Sequence, residues 1–182
     1  MRSVSKWASL AFALSLATGA ATALTVSPAL AATANSCKTL KGTSTFHPPV
    51  TTKPSKGYIT SVGTVSGCLP SAKTGGSGKF TSTIRPTKAG SCTTLVQGGN
   101  VLNGTAKTTW KNGKVTNMKI TVRTGTGAHY NIATITGTVS SGLFAGKHVT
   151  GQVKFTPKSG QDCVHTPLKQ VTFVNTKPFA LH

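Results

Sequence analysis

Apolar and polar residues alternate with a period of two along most of this chain, and that pattern limits the fold more than any other feature. Residues 79–85 place Phe80, Ser82 and Ile84 on one face against Lys79, Thr81, Thr83 and Arg85 on the other. Residues 115–123 oppose Met118, Ile120 and Val122 to Lys119, Thr121 and Arg123. Side chains of a strand point alternately to its two faces, so each such run is a strand with one buried face. Residues 40–46, 58–66, 104–110, 130–139, 149–155 and 168–174 read the same way. In 149–155, Val149, Val153 and Phe155 face in, and Thr150, Gln152 and Lys154 face out. Thr, Val and Gly are abundant, as β-branched side chains fit a pleated surface and lose rotamer freedom in helices. Past the N-terminal segment no stretch sustains a 3.6-residue apolar period.

The connections are short. Lys111-Asn112-Gly113 joins two of the strands, and Asn-Gly is a strong hairpin signal because both turn positions need positive φ. The Pro-rich stretch 47–56 and the Gly/Ser stretch 71–78 are the loosest loops expected. About eight strands joined this way form an all-β antiparallel meander, a closed or nearly closed barrel in preference to a two-sheet sandwich. The tetrapeptide Gly-Thr-Val-Ser occurs at 63–66 and again at 137–140. Each copy is followed by Gly-Lys, a strand, and a Pro/Lys/Gly stretch ending in Cys. Duplication of a hairpin unit and shared composition both account for this echo.

The N-terminus has the layout of an export signal. Arg2 and Lys6 precede an apolar run at 7–17, too short for the roughly 20 residues of a bilayer-spanning helix. Pro28 then precedes Ala29-Leu30-Ala31, a small-x-small cleavage pattern. Residues 1–31 are therefore expected to be a cleaved signal peptide, and 32–182 a single secreted β domain. Ala34-Asn35-Ser36 before Cys37 lacks the pattern of a lipid-modified cysteine.

Cys37, Cys68, Cys92 and Cys163 are the only cysteines. In an exported chain four cysteines point to two disulfides, and composition alone permits three connectivities. No C-x-x-C pair exists, so a structural zinc site has no support. The meander discriminates between the pairings. Cys37 precedes the first strand and Cys68 closes the second, at one end of the sheet. Cys92 follows the third strand and Cys163 the seventh, at the other end. Disulfide geometry needs Cα atoms within about 7 Å. Cys37–Cys68 and Cys92–Cys163 are thus the expected pairs, provided that Thr-Thr-Leu-Val-Gln at 93–97 is not an extra strand, which would reverse the parity.

These residues resemble a family. Cys37 within SCKTLKGTSTF, SCTTL at 91–95, TWKNG at 109–113, SGLFAG at 141–146 and the late Cys163 are similar to the small secreted Thr/Gly/Ser-rich β proteins of actinobacteria. The likeness spans about residues 36–176. It implies export, an all-β fold and a cell-envelope setting. That family has no established function, so no catalytic or binding residue carries over.

Charge narrows the chemistry. Lys and Arg number 20 against a single acid, Asp162, for a formal net charge of +19 at pH 7. Paired-carboxylate hydrolysis, an aspartic dyad and carboxylate-rich metal sites all need more acids than this chain has. A Ser-His-Asp arrangement would have to use Asp162 with His165, and no G-x-S-x-G elbow exists: Gly75-Gly76-Ser77-Gly78-Lys79 ends in Lys. That segment also lacks P-loop spacing. His47, His129, His148, His165 and His182 are scattered without metal-ligand spacing. A non-enzymatic protein without metal or cofactor is expected. Lys41, Lys79, Lys107, Lys119, Arg123, Lys154 and Lys169 fall within the strands and are the candidate contacts to an anionic polymer: a wall polymer, acidic lipid or DNA. Lysine is a hydrated point charge without the fork of arginine, which favours sequence-independent contact. The alternative is a barrel that holds a small apolar ligand, lined by Phe80, Trp110, Met118, Ile120 and Phe155.

Overall fold

The computed structural model describes residues 35–163 and 165–182; the expected signal peptide, 1–31, lies outside the described residues. Eight strands follow in chain order: β1 (Asn35–Val50), β2 (Tyr58–Leu69), β3 (Ser77–Pro86), β4 (Val101–Trp110), β5 (Val115–Thr124), β6 (Ile132–Gly142), β7 (His148–Pro157) and β8 (Leu168–Leu181). Each pairs antiparallel with its neighbours in the chain, and β8 returns to β1, with Asn35 opposite Leu181 and Thr43 opposite Thr172. The sheet is therefore a closed up-and-down barrel. Closure removes the free edges that such Thr- and Val-rich strands would otherwise offer to other chains.

Two short helices lie in the connections: α1 (Ser71–Thr74) between β2 and β3, and α2 (Cys92–Gln97) between β3 and β4. The segment 93–97 is thus helical. Ser91 Oγ accepts from the Thr94 backbone N–H, and the Ser91 N–H donates to Thr94 Oγ1, so a reciprocal capping box starts the helix. Because α2 is not a strand, the parity of strand ends holds. Cys37 sits directly opposite Cys68 and is bonded to it, with Cα atoms 3.9 Å apart. Cys92 is bonded to Cys163 across 5.5 Å.

The loop expected at 47–56 is shorter than its composition suggests. β1 continues through His47 to Val50, where Val50 pairs with Leu168 beyond a register shift after Thr45. An irregularity of this kind accommodates Pro48 and Pro49, which lack the N–H a regular ladder uses. Similarly, the Gly/Ser stretch 71–78 holds α1 and the start of β3. Tyr130 follows a 3₁₀ turn at Gly127–His129, and β6 starts only at Ile132. The two Gly-Thr-Val-Ser copies fall on β2 and β6, and the cysteines that end the two echoes are the pair Cys92–Cys163.

Inward residues form cross-strand rows. In one, Phe173, Gly42, Gly63, Phe80, Thr108 and Thr116 follow each other from β8 round to β5. A Cβ on Gly42 would stand 2.2 Å from the Val62 carbonyl oxygen and 2.7 Å from the Phe173 ring, so glycine is required where these strands approach. The space is taken by Phe80 and Phe173, packed edge to face with centroids 6.4 Å apart. Thr108, in the same row, is fully buried and its hydroxyl has no hydrogen-bond partner among the described residues. A buried orphan hydroxyl costs about 1–3 kcal/mol. Thr108→Val keeps the β-branch and removes that hydroxyl, so its urea midpoint should rise, by an equivalent of about 1 kcal/mol. An unchanged or lower midpoint would show that the hydroxyl is satisfied.

The two ends of the barrel differ. At the end bearing Cys37–Cys68, Trp110 is buried, its Nε1–H donates to Thr116 Oγ1 at 2.7 Å, and Thr116 donates onward to the Leu143 carbonyl at 2.8 Å. Phe144 meets the indole edge-on at 6.0 Å. This end is closed by side chains. The other end is covered by α2 and the connecting loops, and the interior beneath it is not filled.

Candidate functional site

An eight-stranded barrel is just wide enough for ordinary side chains to fill its interior. Here the inward positions at mid-height are too small. Ser44 on β1 lies opposite Ser61 on β2, Ser61 opposite Ser82 on β3, and Ser82 opposite Ala106 on β4. The three serines leave space, and a cavity of about 160 Å³ occupies it, while Ala106 faces Met118 across the next pair. Leu40, Phe80, Ile84, Leu102, Ile120, Val122, Ile135, Val153 and Phe173 supply its apolar wall. Phe80, Ile120 and Phe155 line it as expected for a ligand-holding barrel, whereas Trp110 and Met118 are absent from its lining. Trp110 packs instead around the closed end, and Met118 is fully buried next to Ala106.

The cavity opens between the loops at the Cys92–Cys163 end. α2 leans over the opening and presents Leu95 to it. Three ties hold α2 there: the disulfide to Cys163, the Cys92 N–H donating to the Thr51 carbonyl at 2.8 Å, and a two-way backbone pairing of Ser55 with Gly90. Cys92, Cys163, Leu168 and Val171 form a small apolar cluster of their own under these loops, with Phe46, Val50 and Leu95 against it. On the rim, His47 stacks on Tyr58 at 4.8 Å, Arg85 lies 5.2 Å from the centre of the Tyr58 ring, and His47 shares a hydrogen bond with Thr60 at 3.0 Å. Rim aromatics with polar tips suit an entrance that is apolar inside and wet outside.

The lining contains no Lys, Arg, Asp or Glu. Every Lys and Arg among the described residues is exposed. The candidate contacts Lys41, Lys79, Lys107, Lys119, Arg123, Lys154 and Lys169 stand on the outer surface of β1, β3, β4, β5, β7 and β8, so they encircle the barrel instead of gathering on one face. Lys79, Lys107 and Lys119 form a diagonal: Lys107 is opposite Thr81, two residues from Lys79, and Lys119 is opposite Thr105, two residues from Lys107. Diagonal neighbours on a sheet are about 7–8 Å apart. Lys41 and Lys154 flank Val174, one on each side, beside a shallow outer groove floored by Gly42 and Gly63.

Asp162 has a structural task. Its carboxylate accepts from the backbone N–H groups of His165 and Thr166, at 2.8 and 2.9 Å, and contacts His165 Nδ1. The Thr166 N–H first, then the His165 side chain and backbone, hold its carboxyl well below the usual carboxylate range. The group shapes the loop next to Cys163 and does not line the cavity. Among the described residues no cluster of three or more His, Cys, Asp or Glu forms a metal site. No helix among the described residues is long and apolar enough to cross a membrane.

No family model, curated protein or solved structure matches this chain. The cavity and the charge distribution are therefore what any functional assignment has to rest on.

The cavity was the feature least visible in the sequence. Ser82 sits between Phe80 and Ile84 on the apolar face of β3, and a small polar residue in such a position is a signal of unfilled space. Ser44 and Ser61 fall beside it only once the register of three strands is fixed.

Proposed function

We propose that the protein is an exported, non-enzymatic binding protein that takes a small, mainly apolar molecule into the barrel. The observation that carries this is the open-ended cavity of about 160 Å³ with an almost wholly apolar wall. An apolar cavity of about 150 Å³ in another protein stays dry and takes up benzene. Binding sites are typically concave, apolar and largely preformed, with a few polar groups that orient the ligand. Two disulfides fit a protein that works outside the cell, and they help to offset the repulsion within so strongly cationic a chain.

Toluene is a suitable probe. Calorimetric titration of the full mature chain should show saturable binding that is insensitive to salt up to ~0.5 M, because toluene is uncharged and no Lys, Arg, Asp or Glu lines the site. Ser82→Val adds bulk where Ser44 and Ser61 leave room, and it should weaken toluene binding at least about tenfold. Absence of toluene binding to the native protein would remove the proposal.

A second reading rests on the Lys79–Lys107–Lys119 diagonal. Association of this outer face with an anionic polymer would be steeply salt-dependent, each phosphate contact adding about one to the log–log slope. The spread of cations round the barrel supports this reading less than a single basic face would, since dispersed lysines also serve solubility.

A further inference from the structure

On the reading of the cavity given above, the serine row specifies the chemistry of the ligand: we infer that it is a neutral molecule with an apolar body and one hydrogen-bond-accepting oxygen, held by Ser82 and its neighbours. Ser44, Ser61 and Ser82 all face the cavity, in register on three adjacent strands. Ser44 and Ser61 share one hydrogen bond at 2.8 Å, which uses the proton of one hydroxyl and leaves the other hydroxyl proton available. Ser82 is only 8% exposed, lines the cavity, and its hydroxyl has no hydrogen-bond partner among the described residues. Two O–H donors thus face the chamber at the serine row, while the other polar residues of the lining include His47, Ser55, Tyr58, Asn100 and Thr124.

A hydroxyl that faces the cavity without a partner in the protein is served by what enters the cavity, and alanine would fit the same space. An incoming oxygen atom, a ketone or ether type of acceptor, satisfies both donors at once. A carboxylate seated at the serine row would leave water without a lysine or arginine beside it, because the lining holds no Lys or Arg and every Lys and Arg among the described residues is exposed. A saturated hydrocarbon would fill the space but leave the donors unmet. The serine row therefore selects for one polar atom at mid-barrel, and the apolar wall selects for the rest of the molecule.

The test compares acetophenone with isopropylbenzene, molecules of similar size in which a methyl group of the second stands where the first has its carbonyl oxygen, in NMR titrations of the full mature protein. Ser82→Ala is expected to weaken acetophenone binding about fivefold while leaving isopropylbenzene unchanged. The double substitution Ser44→Ala, Ser61→Ala, which removes the hydrogen-bonded pair and with it the second donor, is expected to act in the same direction and provides the comparison should Ser82→Ala fold poorly. If the variants change both affinities by the same factor, or neither, the polar anchor is refuted and the cavity proposal stands. Benzoate binding more tightly than acetophenone would overturn the neutral class. If neither acetophenone nor isopropylbenzene binds the native protein, both the anchor and the cavity proposal fall.

Discussion

Trp110→Ala is expected to destabilise the barrel by about 3–5 kcal/mol, the range for removing a large buried aromatic side chain. The indole is 3% exposed and is the wedge that closes the barrel opposite the cavity mouth. Its loss leaves a void against Gly78, which has no side chain to move in and whose Cβ position is already 3.2 Å from the ring. It also deprives Thr116 of its donor at a fully buried site, and it exposes one side of Phe144. Trp110→Phe keeps much of the ring volume and loses the N–H, so it should cost less, about 1–3 kcal/mol. Urea unfolding followed by far-UV circular dichroism reads both variants. A loss below about 1 kcal/mol for Trp110→Ala would mean that the closed end repacks freely.

The second large effect concerns the mouth. Removing Cys92–Cys163 by the double substitution Cys92→Ala, Cys163→Ala should cost about 4.4 kcal/mol, given that the bond spans 71 residues of chain. The same change at Cys37–Cys68, which spans 31 residues, should cost somewhat less, about 3.7 kcal/mol in the same treatment. The two variants should differ more in kind than in size. Cys37 and Cys68 already face each other in a regular strand pair, so their loss leaves the ladder to hold the strands. Cys92 and Cys163 belong to α2 and the β7–β8 connection, which no ladder joins, so their loss frees α2 from one of its three ties. Hydrogen exchange should therefore rise in α2 and its flanking loops in the Cys92/Cys163 variant, with β1 and β2 largely unaffected. Equal protection of α2 in both variants would contradict this division of labour.

Much of the fold was legible because period-two alternation and an Asn-Gly turn act locally. Phe80, Ile84, Met118, Ile120 and Val122 point inward as their spacing requires, and the disulfide pairs followed from strand parity alone. Parity survived because Ser91 and Thr94 cap a helical turn at 92–97. That capping box was present in the sequence, but it competes there with three β-branched residues that favour a strand. The prolines at 48 and 49 hid the last turn of β1 in the same way: local preference spoke for a loop, and pairing of Val50 with Leu168 decided otherwise. The cavity belongs to a different level. It arises from the summed volumes of inward side chains on eight strands, and no single strand contains that sum. Phe80, Ile120 and Phe155 were correctly named for its wall, while Trp110 and Met118 were not: Trp110 closes the far end, and Met118 fills the space beside Ala106 in the same row as the serines.

The central claim is that the space beneath α2 receives an apolar molecule. Methyl-resolved NMR during a toluene titration tests it most directly, since the wall and the closed end carry separate reporters. Saturable shifts are expected at Ile84, Ile120, Ile135 and Leu102, which line the cavity, with little change at Met118, which is buried outside it. Shifts confined to the outer surface, or none at all, would contradict the account.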